Sequence, residues 1–202
     1  MRPALILLIL ALSSGCGRAQ SDDSSAGHSP DGLAIAAFDP GGHAPLTIVS
    51  PSIDADGALA ARQSAYGANL SPGLRWNAAP GAAAWAIILE DPDAHGPRPF
   101  VHWLVWNIPA AATSLAEGLP ATGRVAAPTG AVQGRNGAGG LGYFGPHPPA
   151  GTGVHRYHFQ VFALDRPLDL APGAGRDAVV AAMKGHVVAA GDLVGAYAAP
   201  GK

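Results

Sequence analysis

The run Ile87-Ile88-Leu89-Glu90-Asp91-Pro92-Asp93-Ala94, followed by His102-Trp103-Leu104-Val105-Trp106-Asn107-Ile108-Pro109, decides how this chain is read. The first run is apolar and ends in two carboxylates around a proline. The second is rich in Val, Trp and Ile and carries a histidine near its start. Both have the composition and length of strands. Antiparallel pairing would bring the end of the first to the start of the second, so acid and imidazole would meet at one edge of a sheet. Alternation along the second strand puts His102 on the face that carries Phe100, Leu104 and Trp106.

Outward from this pair, the other apolar runs are also short and bounded by turn residues. Leu46 to Val49 lies between Pro45 and Pro51. Arg156 to Leu164 alternates, with Phe159 and Val161 on one face and Phe162 and Leu164 on the other. Asp192 to Tyr197 reads as a last short strand. Asp177 to Met183 reads as a helix with an acidic residue at its start and Gly185 just past its end. Gly134 to Gly142 is too rich in glycine for the interior of an element and reads as a loop. The chain is therefore expected to be mainly β, with two antiparallel sheets in a sandwich-like core and a short C-terminal helix.

The 202 residues suit one domain and an appendage, and 28 Gly with 19 Pro favour turns over long helices. The net charge of −2, without a basic tract, argues against a nucleic-acid partner. Met1-Arg2, the apolar run Ala4 to Leu12 and the small residues before Cys16 read as an export signal too short to span a bilayer. Small residues before a lone cysteine resemble a bacterial lipobox, although Ser13 stands where that pattern prefers Leu. The expected division is a lipoprotein signal peptide over 1–15, a flexible tether over 16–32 and a ligand-binding domain over 33–202. Cys16 would carry the acyl chains that hold the chain at the periplasmic side of a membrane. Gly17 is not the Asp that retains some lipoproteins at the inner membrane, which favours the outer one. The alternative is a secretory signal cut after Ala19.

Asp91 and Asp93 flank Pro92 and would project to one side of an extended segment; the alternative is an Asp-Pro turn with backbone-capping carboxylates. His102 is either a core histidine or a ligand-facing one with an Asp beside it. The third candidate segment is Gly142 to Tyr157. Its stretch Gly145-Pro146-His147-Pro148-Pro149 forms a rigid curve that can aim N–H groups at an oxyanion, although each proline removes a donor. Beyond it, His155 and Tyr157 would share one strand face with Arg156 on the other. Acid–base hydrolysis of a phosphoester or ester is a rival use of these groups. Against it, the chain has no Gly-x-Ser-x-Gly motif. A zinc site of Asp91, His102 and His155 is a further variant, with no matching local spacing motif.

Taken together, Ser71-Pro72-Gly73-Leu74-Arg75-Trp76, Asp91-Pro92-Asp93-Ala94, Val101 to Pro109, Gly142 to Tyr157, Phe159 to Asp165, Gly185-His186-Val187 and Gly195-Ala196-Tyr197 resemble the phosphatidylethanolamine-binding protein family. The likeness is to its bacterial, Raf-kinase-inhibitor-like branch and runs from about residue 34 to 198. It implies a small anion pocket without a cofactor, taking phosphate, a carboxylate or a phospholipid headgroup such as phosphorylethanolamine. By position, the pocket would comprise Asp91, Asp93, Phe100, His102, Gly145, Pro146, His147, Pro148, Pro149, His155 and Tyr157. The resemblance favours a binding protein over an enzyme. It also leaves open a protein partner, such as an extracytoplasmic protease. Two departures, His95 in place of a proline and His147 in place of cysteine or glycine, add imidazole at the mouth. They would favour anions below about pH 6.5.

Overall fold

A computed structural model describes Met1, residues 32–38 and residues 44–201. The expected signal peptide, Cys16 and the tether up to residue 31 lie outside the described residues, Met1 apart. The strands are β1 (Ala44–Pro45), β2 (Ile48–Val49), β3 (Leu74–Trp76), β4 (Ala84–Asp91), β5 (Phe100–Pro109), β6 (Ser114–Leu115), β7 (Val132–Gln133), β8 (Val154–Leu164) and β9 (Val187–Ala198), with α1 (Arg176–Met183) before the last. They form two sheets, ordered β1-β9-β8-β4-β5-β7 and β2-β3-β6. All pairings are antiparallel except β1 with β9 at the edge.

The architecture is the expected one: mainly β, two sheets and one short helix. It has a further layer. All eight residues of β4 are buried, because both faces of this central strand are covered. Trp85, Ile87 and Leu89 pack with Ile48, Leu74, Trp76 and Leu115 between the sheets. Ala86 and Ile88 face the other way, under Val179, Val180 and Met183 of α1 and under Ala34 and Phe38. A strand buried on both faces reads as an unbroken apolar run, as this one does.

A buried clasp holds the 32–38 segment to this second face. Glu90 is fully buried. Its carboxylate accepts from the backbone N–H of Ala34 at 2.7 Å, from Gln160 Nε2 at 2.8 Å and from Arg176 Nε. Arg176 also donates to the Gly32 carbonyl, and Ile35 N–H donates to Gln160 Oε1 at 2.6 Å.

Two strand boundaries differ from the sequence reading. β9 begins at Val187, earlier than Asp192, and pairs along the whole of β8. Its first half is small because other chain lies against it: a Cβ on Gly191 would sit 2.5 Å from the Leu46 carbonyl oxygen. The Leu46–Val49 run is split, Leu46 N–H donating to the Ala190 carbonyl of β9 at 3.0 Å and Ile48–Val49 pairing with β3, because the chain there passes from one sheet to the other.

Candidate functional site

β4 ends at Asp91, where Pro92 offers no N–H to continue the ladder. The Asp91 carboxylate divides its work. Oδ1 accepts the N–H groups of Asp93 at 2.8 Å and Ala94 at 3.1 Å, which closes the turn. Oδ2 lies 2.8 Å from His155 Nδ1 and 4.0 Å from His102 Nε2. One oxygen therefore closes the turn, and the other faces the two imidazoles.

Asp93 takes a different course. The chain has turned at Pro92, and its carboxylate accepts from Arg156 N and Nε, each at 2.9 Å, and from Arg156 Nη2 at 2.6 Å. Burial works to raise its pKa, but the Arg156 hydrogen bonds and charge outweigh that and hold it below the ordinary value. The two acids do not share one side, as an extended segment would have required.

His102 owes its position to a bulge. Leu89 pairs with Trp103 and Glu90 with Val101, so His102 is an extra residue in β5. Val101 packs on the helix side of the sheet and Trp103 on the other. The added residue turns His102 toward Tyr157, whose ring meets it edge-on at 5.1 Å. Leu104 and Trp106 face the opposite side. This corrects the face assigned by simple alternation, since a bulge re-aims one side chain without disturbing the strand beyond it.

The His102 ring is buried, and its Nδ1 lies 2.7 Å from the Phe144 carbonyl. A carbonyl can only accept, so Nδ1 carries the proton and Nε2 of the neutral ring presents a lone pair. Burial lowers its pKa from 6.5 to about 4, against the opposing pull of the Phe144 carbonyl and Asp91. The ring is thus neutral at pH 7. Phe144 lies parallel to it at 5.8 Å, and Phe100 is tilted against it at 4.8 Å.

From β8, His155 and Tyr157 are buried while Arg156 is exposed, as the alternation expects. Both ring nitrogens of His155 are engaged. Nδ1 faces Asp91, and Nε2 lies 2.9 Å from Thr152 Oγ1, which itself donates to the Pro149 carbonyl at 2.8 Å. The buried Tyr157 hydroxyl has no hydrogen-bond partner. Burial first, then the nearby Asp91 charge, raises its pKa and keeps it protonated.

The loop before β8 is pinned from outside. Gly145 N–H donates to Asn69 Oδ1 at 2.7 Å, Ala65 N–H to the Pro146 carbonyl at 3.0 Å, and the Tyr66 hydroxyl to the Pro148 carbonyl at 2.8 Å. A Cβ on Gly145 would lie 2.2 Å from the Gln63 carbonyl oxygen, so that position needs glycine for close approach. Three prolines in the stretch have no N–H, and the Gly145 N–H is taken. Only the His147 N–H remains of the amide cradle that the sequence suggested. The bracing segment 63–69 escaped the sequence reading. Its one local signal was Asn69, a residue type that tolerates the left-handed φ of 53° seen there.

These elements enclose a cavity of about 380 Å³. Of the expected residues, Asp91, Phe100, His102, His147, Pro148, Pro149 and His155 line it, joined by Ala94, His95, Ala138 and Phe144. Asp93, Gly145, Pro146 and Tyr157 are off its wall: Asp93 is drawn out by Arg156, Gly145 and Pro146 face the 63–69 segment, and Tyr157 stands behind His102. Among the described residues no Lys or Arg lines the cavity. Among the described residues no three His, Cys, Asp or Glu side chains are grouped as metal ligands would be.

Comparison with known proteins agrees with this fold. The family model described as phosphatidylethanolamine-binding protein matches residues 49–198. A UPF0098 protein of Methanothermobacter thermautotrophicus is 46% identical over 142 residues, which is 70% of this chain and 91% of that protein. LppC of Mycobacterium tuberculosis, whose name marks it as a candidate lipoprotein, is 40% identical over 172 residues, 84% of this chain and 81% of its own. The crystal structure of Escherichia coli YbcL, titled a member of the mammalian family, superposes with a TM-score of 0.71 at 31% identity. That match covers 78% of this chain and all of YbcL. With its fold and three-quarters of its length matched in this way, the chain belongs to the phosphatidylethanolamine-binding protein family.

Proposed function

We propose that this chain is an exported, lipid-anchored binding protein whose cavity takes one small oxyanion-bearing molecule: phosphate, phosphorylethanolamine or a carboxylate. The observation that carries this reading is the meeting of His102 Nε2 and Asp91 Oδ2, 4.0 Å apart, in an otherwise apolar cavity walled by Phe100, Phe144 and prolines. A few convergent polar atoms in an apolar pocket are the usual form of a small-molecule site. Binding is favoured over hydrolysis because, among the described residues, the wall carries no hydroxyl or thiol nucleophile, and the nearby Thr152 hydroxyl is committed to Pro149 and His155. His102 meets the ligand, Asp91 and His155 hold the polar end of the cavity, and Tyr157 supports the His102 ring from behind.

The anchor rests on the apolar run before Cys16 and on the name of the LppC relative. Cleavage before Cys16 would leave residues 16–32 as a tether to the domain. Titration of phosphorylethanolamine, followed by NMR of the His102 ring, tests the cavity. Saturable shifts are expected there, with calorimetric affinity lost in His102→Ala, and the absence of shifts from the unaltered protein overturns the reading. Membrane partition of the full chain against Cys16→Ser tests the anchor, with loss from the membrane fraction expected on substitution.

A further inference from the structure

The polar end of the cavity has an unusual deficit. His102 Nδ1 gives its proton to the Phe144 carbonyl, so its Nε2 meets the cavity as an acceptor. Asp91 Oδ2, 4.0 Å away, is a second acceptor. His155 offers no free ring nitrogen, since one faces Asp91 and the other Thr152. Among the described residues no guanidinium or ammonium group lines the wall. Arg156, the cation next along β8, is committed to Asp93. The Tyr157 hydroxyl is off the wall, and His95 and His147 are exposed at the mouth. The His102 Nε2 lone pair thus meets the cavity without a donor, beside a carboxylate oxygen that His155 Nδ1 already serves at 2.8 Å. A fully ionised oxyanion placed there would leave that lone pair unpaired and set its own negative charge against Asp91.

We propose that the cavity selects a phosphate monoester in its singly protonated form, the P–OH of the ligand supplying the hydrogen that His102 Nε2 lacks and the lost charge easing its approach to Asp91. This rests on the cavity being the ligand site proposed above. It sharpens that reading from any oxyanion to one that donates a hydrogen bond. The phosphodiester of an intact lipid has no P–OH and is disfavoured; a free monoester such as phosphorylethanolamine is favoured.

The test pairs methyl phosphate with methyl sulfate, measured by calorimetry or NMR on the full chain. At about pH 5.5 methyl phosphate is mostly a monoanion, since its second proton leaves near pH 6. The two probes then share charge and shape and differ by one hydrogen. His102 is still neutral there, because its pKa is lowered to about 4. Methyl phosphate is expected to bind at least ~10-fold more tightly. That ratio is expected to shrink toward one at about pH 8, as the ligand loses its proton. Protonation of His95 or His147 would change both affinities together and leave the ratio unmoved.

Asp91→Asn, which can present an amide donor in place of Oδ2, is expected to bring the ratio within ~3-fold. The ratio in the unaltered protein decides the matter even if that variant fails to fold. Equal binding of the two probes overturns the proposal and leaves the binding reading standing. Tighter binding of glycerophosphoethanolamine than of methyl phosphate overturns it too, since the ammonium would then be the donor. If neither probe nor phosphorylethanolamine binds, both readings fall.

Discussion

Acid should unfold this protein through His102. The folded ring titrates at about 4 and the unfolded one at 6.5, with burial as the chief cause. Between those values the unfolded chain binds more protons, so stability rises with pH. The contribution of the neutral ring is complete above about pH 6.5 and is lost as pH falls toward 4. The shift corresponds to roughly 3 kcal/mol. For a domain of this size that is roughly 6 to 12 °C in melting temperature. The control is His102→Asn, whose amide nitrogen can stand in for Nδ1 against the Phe144 carbonyl and does not titrate. Thermal melts of both chains between about pH 7 and pH 4 subtract every other ionisation. The unaltered protein is expected to lose about 3 kcal/mol more than the variant. Parallel pH curves for the two chains, or a His102 ring titrating near its ordinary value by NMR, would refute the argument.

Other perturbations follow from the same geometry. Glu90→Ala strands Arg176 and the Ala34 N–H inside the second core; a loss of about 3–5 kcal/mol is expected in urea unfolding. Gly145→Ala drives a methyl into the Gln63 carbonyl oxygen, so the loop must leave segment 63–69. Ligand affinity should then fall by ~10-fold or more, with a melting loss of a few degrees. Tyr157→Phe removes a buried hydroxyl that has no partner, and calorimetry should show stability unchanged or raised by up to ~1 kcal/mol with ligand affinity intact.

Much of the fold was legible in the sequence because its strands are uniform in chemistry. The runs of β4 and β5 are too apolar and too β-branched to be anything else, and the small residues around α1 leave it little choice. The alternation of β8 placed His155 and Tyr157 together, and its burial follows suit. Asp91 was legible as a turn residue or as a partner of imidazole, and it is both, because a carboxylate has two oxygens with separate partners. Asp93 was misjudged because local spacing does not reveal Arg156, which lies far along the chain. The Glu90 clasp was hidden for the same reason: one acid at the end of an apolar run does not announce three partners from distant segments. The loop amides were overcounted because Asn69, remote in sequence, takes the one at Gly145.

The extra residue in β5 acts as a change of parity. Up to His102, even-numbered side chains of that strand look toward the cavity; at Trp103 and Val105 the odd-numbered ones share that side with it, until a second irregularity brings Ile108 there. The imidazole and the tryptophan beside it are thereby both spent on one surface, which a flat ladder forbids. Grafted onto a regular hairpin, the same ten residues would send either the histidine under the helix or the tryptophan out of the core. Whoever moves this site to another scaffold must carry the irregularity along with the side chains.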